Sequence, residues 1–126
     1  MTARHHVVLF LHLMKETAEK RFTFVRRAVN LRTLAQFGLM PRDAKARVLA
    51  LEPDDYVSGP TPDHNAPERE VWVFGLHIDH VEVYVKIQVI AEPPEGCVCI
   101  SFHTADRPMT YPLRTNPQPR SEEESR

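Results

Sequence analysis

Two stretches near the C-terminal half alternate between apolar and polar side chains with a period of two. Val83-Tyr84-Val85-Lys86-Ile87-Gln88-Val89 places its aliphatic residues on one side and Tyr84, Lys86 and Gln88 on the other. Cys97-Val98-Cys99-Ile100-Ser101-Phe102-His103 repeats the pattern, setting Val98, Ile100 and Phe102 against Cys97, Cys99, Ser101 and His103. Such alternation predicts strands with one face on a core. Pro93-Pro94-Glu95-Gly96 between them is rich in turn residues and predicts a hairpin. With Glu92 facing Cys97, Ile87 meets Phe102, Val89 meets Ile100, Gln88 meets Ser101 and Lys86 meets His103. That register gathers Tyr84, Lys86, Ser101 and His103 on one polar face.

The rest of the chain reads as helices followed by strands. His6–Lys20 is amphipathic, with Val7, Leu11, Met14 and Ala18 at helical spacing. Residues 21–27 are β-prone and suit a short edge strand or a turn. Asn30 is placed to cap a short helix through Ala35, ended by Gly38. Pro41 suits the first position of a helix to about Ala50, with Asp43 in its first turn and Ala44, Val48 and Leu51 as its stripe. Asp54–Arg69, with three prolines and Gly59, predicts a long loop. Strands are predicted at Glu70–Leu76, Val81–Ala91 and Cys97–His103, with Trp72 and Phe74 in the core. The expectation is one α+β domain over residues 1–114, helices packed on an antiparallel sheet of three or four strands. Residues 115–126 have the composition of a disordered tail.

Apolar residues make up 42% of the 126, enough for a modest core. The formal net charge is −1, but its distribution is uneven: residues 20–47 carry +7 and residues 52–82 carry −7. The first block suits a polyanion, or equally a set of solvated helix faces. Cys97 and Cys99, the only cysteines, lie two apart on one strand, about 6.5–7 Å between Cα atoms, a poor disulfide geometry. A reducing cytoplasm is the expected compartment. The apolar run Val7–Leu13 is too short to span a bilayer, so no membrane association is expected.

Several phrases recur together in a known family. "DYVSGPTPDH" leads to "VWVFG", "EVYVKIQV" and "VCISFHTADRPMTYP", downstream of a helix ending in "FGL". Over residues 22–114 the chain resembles the MqsR-like toxins of type II toxin–antitoxin systems, small ribonucleases of the RelE-like class. The resemblance implies a RelE-like fold and translation-blocking cleavage of mRNA, with or without the ribosome. It also implies a cognate antitoxin with zinc-binding and helix-turn-helix parts. Of the family's catalytic positions, a strand Tyr corresponds to Tyr84, and a Lys of the last strand is replaced by His103. A family Lys and Gln correspond to Ser58 and Val73.

Metal-free RNA cleavage needs a base for the 2′-OH, cations for the phosphorane and an acid for the leaving oxygen. His103 suits base or acid, Lys86 a phosphate clamp, and Tyr84 a proton donor or stacking platform. Ser58, Asp63, His64, Gln88 and Ser101 are the expected RNA contacts. Asp63 and His64 lie where a loop can reach the sheet, although an Asp–backbone turn bond accounts for Asp63 equally well. His77-Ile78-Asp79-His80 admits a metal reading but falls at a hairpin tip. Cys97 and His103, six apart on one strand and about 20 Å distant, cannot share an ion. No metal or other cofactor is expected. The alternative is a binding module for RNA or protein that keeps the fold without the chemistry.

Overall fold

The computed structural model describes residues 2–114; the tail at 115–126 lies outside them. Helix α1 spans Arg4–Lys20, strand β1 Phe22–Phe24, helix α2 Ala28–Phe37 and helix α3 Pro41–Leu49. A single 3-10 turn at Pro53–Asp55 precedes β2 (Tyr56–Pro62), β3 (Glu70–Ile78), β4 (Val81–Ile90) and β5 (Gly96–Thr104). The class is α+β, as expected. The sheet is not the three- or four-stranded antiparallel one: it has five strands in the order β1-β5-β4-β3-β2, and β1 runs parallel to β5.

Both additional strands have local reasons. Residues 56–62 look like loop because of Pro60 and Pro62, yet prolines are tolerated on an edge strand, and β2 is an edge with two register irregularities. The three residues of β1 are held by the Cys97 N–H donating to the Arg21 carbonyl at 2.9 Å. That contact also draws Gly96 into β5, leaving Ala91–Glu95 as the β4–β5 connection. A Cβ on Gly96 would stand 3.2 Å from the Cβ of Arg21, so the close approach of β1 favours glycine there.

The β4–β5 register therefore differs from the expected one, by two residues up to Lys86 and by three from Ile87 onward. Tyr84 faces His103, Val85 faces Phe102 and Lys86 faces Ser101. A bulge follows, because Ile87 faces Cys99 and Ile100 is the extra residue. The bulge flips the strand's first half. Cys97 and Cys99 point into the core beside Phe102, not onto the polar face with His103, and all three are fully buried. Alternation across residues 97–103 conceals this, since cysteine passes as either polar or apolar.

Asn30 closes the gap that the bulge opens. Fully buried inside α2, it is not the helix cap; Arg27 precedes the first turn instead. Its Nδ2 donates to the carbonyls of Val25 and Ile100, both at 2.9 Å, and its Oδ1 accepts the Phe102 N–H at 3.0 Å. The carboxamide thus takes the ladder positions that a longer β1 would have filled, satisfying buried backbone groups.

The core lies between the helices and one face of the sheet. Val7, Phe10, Leu11, Met14 and Ala18 of α1 pack over Trp72, Phe74, Val83, Val85 and Ile87. Phe10 stacks on Trp72 with centroids 4.3 Å apart, and Tyr56 meets Phe74 edge-on at 6.0 Å. Ala44, Val48 and Leu51 are buried as their spacing predicts, and Asp43 Oδ2 accepts the Met40 N–H at 2.8 Å to start α3. Asp79 and His80, at φ 51° and 68°, form the left-handed two-residue turn between β3 and β4. Among the described residues, no group of three His, Cys, Asp or Glu is arranged to hold a metal ion. Nor is any helix among them long and apolar enough to cross a membrane.

Candidate active site on the open sheet face

The face away from α1 is covered at both ends and accessible in the middle. At one end the segment after β5 crosses β3. Tyr111 donates to Glu82 Oε2 at 2.6 Å, the Met109 N–H donates to Glu82 Oε1 at 3.0 Å, and Arg114 lies 3.8 Å over the Tyr111 ring. Gly75 permits this crossing, because a Cβ there would stand 2.2 Å from the Tyr111 hydroxyl. At the other end the loop after β2 lies over Gln88.

Between these ends stand the residues expected to carry chemistry. Tyr84 and His103 face each other across β4 and β5 and stack, centroids 5.2 Å apart and planes 19° from parallel. Lys86 and Ser101 form the next pair. The row continues through Val73, which faces Lys86, to Ser58, which faces Val73, so the two positions where the resemblance implies Gln and Lys lie in one row with Lys86. Tyr84, Lys86 and His103 are all half-buried, Ser58 is exposed and Ser101 is buried.

Ser101 is buried beneath an arginine. Arg27, just before α2, donates from Nη2 to Ser101 Oγ at 2.7 Å. Its charge also reaches Tyr84, partly offsetting the burial that pushes the phenol above its ordinary pKa. Tyr84 therefore stays protonated at neutral pH. His103 Nδ1 lies 3.0 Å from the Thr104 carbonyl. A carbonyl only accepts, so in the neutral ring the proton sits on Nδ1 and Nε2 keeps a lone pair.

Asp63 makes a turn bond and also reaches the sheet. Oδ1 accepts the Asn65 N–H at 3.0 Å, a turn bond, and Oδ2 accepts Gln88 Nε2 at 2.8 Å, bridging loop to sheet. The Asn65 and Gln88 bonds, with Lys86 nearby, hold the Asp63 carboxyl below the ordinary carboxylate range. His64 stands exposed beside it. Gln88 faces Val98, not Ser101, because the bulge adds one residue to the two-residue difference in register.

In the sequence Arg27 is one member of the basic block at residues 20–47, and nothing local separates it from Arg26. Its place follows from α2 packing on β5, a contact 74 residues apart in the chain. Tyr111 and Glu82 were missed for the same reason.

No family model, curated protein or solved structure matches this chain at a significant level.

Proposed function

We propose that the chain is the toxin of a type II toxin–antitoxin pair, a metal-independent endoribonuclease acting on mRNA in the cytoplasm. The observation that supports this most is His103, with Nδ1 against the Thr104 carbonyl and its ring on Tyr84, beside Lys86 and Arg27. Nε2 of His103 takes the proton of the 2′-OH. The 2′-oxygen attacks the adjacent phosphorus, and the bond from phosphorus to the 5′-oxygen breaks. Lys86 and Arg27 meet the charge that grows on the phosphate oxygens. The 5′-oxygen leaves with a proton from the neutral Tyr84 phenol. The products are a 2′,3′-cyclic phosphate and a 5′-hydroxyl end.

A metal-dependent route is less favoured by the residues of this face. Two-ion nucleases gather carboxylates around the scissile phosphate. Here the nearby carboxylates are already held, Asp63 by Asn65 and Gln88 and Glu82 by Met109 and Tyr111, and the centre carries cations. The cognate antitoxin, with zinc-binding and helix-turn-helix parts, is proposed on the resemblance alone.

Binding of RNA without cleavage is the second reading, favoured by Ser58 and Val73 at two family catalytic positions. Purified protein with a labelled RNA separates the two. Cleavage should persist in excess chelator, leave a 2′,3′-cyclic phosphate, and spare a substrate deoxy at the scissile step. Intact RNA that is retained by the protein supports the binding module; activity restored only by Mg²⁺ or Mn²⁺ overturns the mechanism.

A further inference from the structure

Helix α1 is apolar on its outer side as well as its inner one. Leu9 is 64% exposed and Leu13, one turn on, is 41% exposed. They form one wall of a groove of about 1060 Å³, with Phe10 and Trp72 on its floor and Pro60 and Pro62 on the opposite side. Exposed leucines beside a groove floored by aromatic rings give a partner apolar side chains to cover. The opposite wall narrows the choice of occupant. An added strand needs main-chain donors along the sheet edge, and β2 lacks them at Pro60 and Pro62. Side chains must therefore supply the contacts, as they do for a helix in a groove. The rim sets the charge: Glu68, Glu70 and Glu92 line it against Arg69, which is tied to Glu92 at 3.2 Å.

We propose that this groove receives an amphipathic helix of a partner protein, leucine-like on one face and flanked by lysine or arginine. The groove lies on the α1 side of the sheet, so its occupant leaves the face of Tyr84 and His103 open. The proposal stands whichever chemistry that face performs.

Trp72 is the only tryptophan of the chain, and its stack on Phe10 makes it a reporter inside the groove. The probe is a synthetic lysine–leucine peptide with leucine at helical spacing. One control scrambles its leucines; another replaces lysine by glutamate. The amphipathic lysine peptide should change Trp72 emission saturably and bind about tenfold tighter than either control. Leu9→Ser with Leu13→Ser should weaken it about tenfold while circular dichroism stays unchanged. Should that variant fail to fold, Glu68→Gln with Glu70→Gln on the rim should weaken the lysine peptide alone, most at low salt. Equal binding of the scrambled peptide, or no emission change, overturns the proposal. So does self-association without peptide that Leu9→Ser and Leu13→Ser abolish, which assigns the groove to a second copy of this chain.

Discussion

Asn30 and Phe102 are joined by a bond that a strand neighbour would ordinarily make: the Phe102 N–H donates to Asn30 Oδ1 at 3.0 Å inside the core. The same carboxamide donates to Ile100 on the far side of the bulge. Helix α2, the bulge and the orientation of Ser101 and His103 are thereby one unit.

Asn30→Ala should destabilise the fold by about 2–4 kcal/mol, since it strands buried main-chain groups of Ile100 and Phe102. Asn30→Asp should be no milder, because a carboxylate accepts from Phe102 but faces the Val25 and Ile100 carbonyls without a proton to donate. Urea denaturation of both variants measures this; a loss below about 0.5 kcal/mol for Asn30→Ala would remove the bulge-sealing role.

His103→Ala and Lys86→Ala should each lower RNA cleavage by about 10²-fold or more while the thermal midpoint moves little, because both stand on the accessible face. Tyr84→Phe keeps the stack on His103 and removes the proton, so it separates donor from platform. Phe102→Ala should fail differently, costing about 3–5 kcal/mol of stability as a fully buried ring is deleted. Single-turnover assays beside melting curves distinguish the two kinds of loss, and full toxicity of a folded His103→Ala protein would refute the catalytic assignment.

Cys97 and Cys99 should be silent toward a thiol reagent in the native protein and react together on unfolding. Burial pushes the Cys97 thiol up to about 12 and that of Cys99 higher still, from an ordinary value near 9. A folded pKa above the unfolded one means stability is whole below pH 9 and is lost as pH rises toward 12. Denaturant midpoints should therefore fall through that alkaline window, and the fall should shrink in Cys97→Ala with Cys99→Ala. Rapid native-state labelling would contradict the bulge that turns both thiols inward.

Gly75→Ala should displace the segment that crosses β3. The added methyl would stand 2.2 Å from the Tyr111 hydroxyl and 2.8 Å from Met109 Cε, so Tyr111 must leave Glu82. The expected signature is a loss of about 1–3 kcal/mol together with faster amide exchange at Met109. A variant with unchanged exchange at Met109 would show that the crossing does not depend on glycine.

The residues on each strand face of β4, the stripes of α1 and α3, and the Gly38 stop were legible because each is set by a local period or cap. Val83, Val85 and Ile87 are buried, Ala44 and Val48 likewise, and Gly38 ends α2 with φ at 66°. Tyr84, Lys86, Ser101 and His103 were expected on one face and stand on one face, although the pairs within it are different ones. A two-residue slip preserves sides, and only a one-residue step exchanges them. The bulge at Ile100 is such a step, and it moved Cys97 and Cys99 into the core.

The tertiary structure decided what no local period encodes. The β1–β5 pairing, the Asn30 seal, Arg27 on Ser101 and Tyr111 on Glu82 all join residues distant in sequence. Their free energy depends on burial and on main-chain groups left without partners, and those exist only after the sheet has closed against its helices. The sequence by itself determined that Tyr84, Lys86, Ser101 and His103 share the open face. Which of them touch, and which arginine joins them, was decided by the packing of α2 against β5.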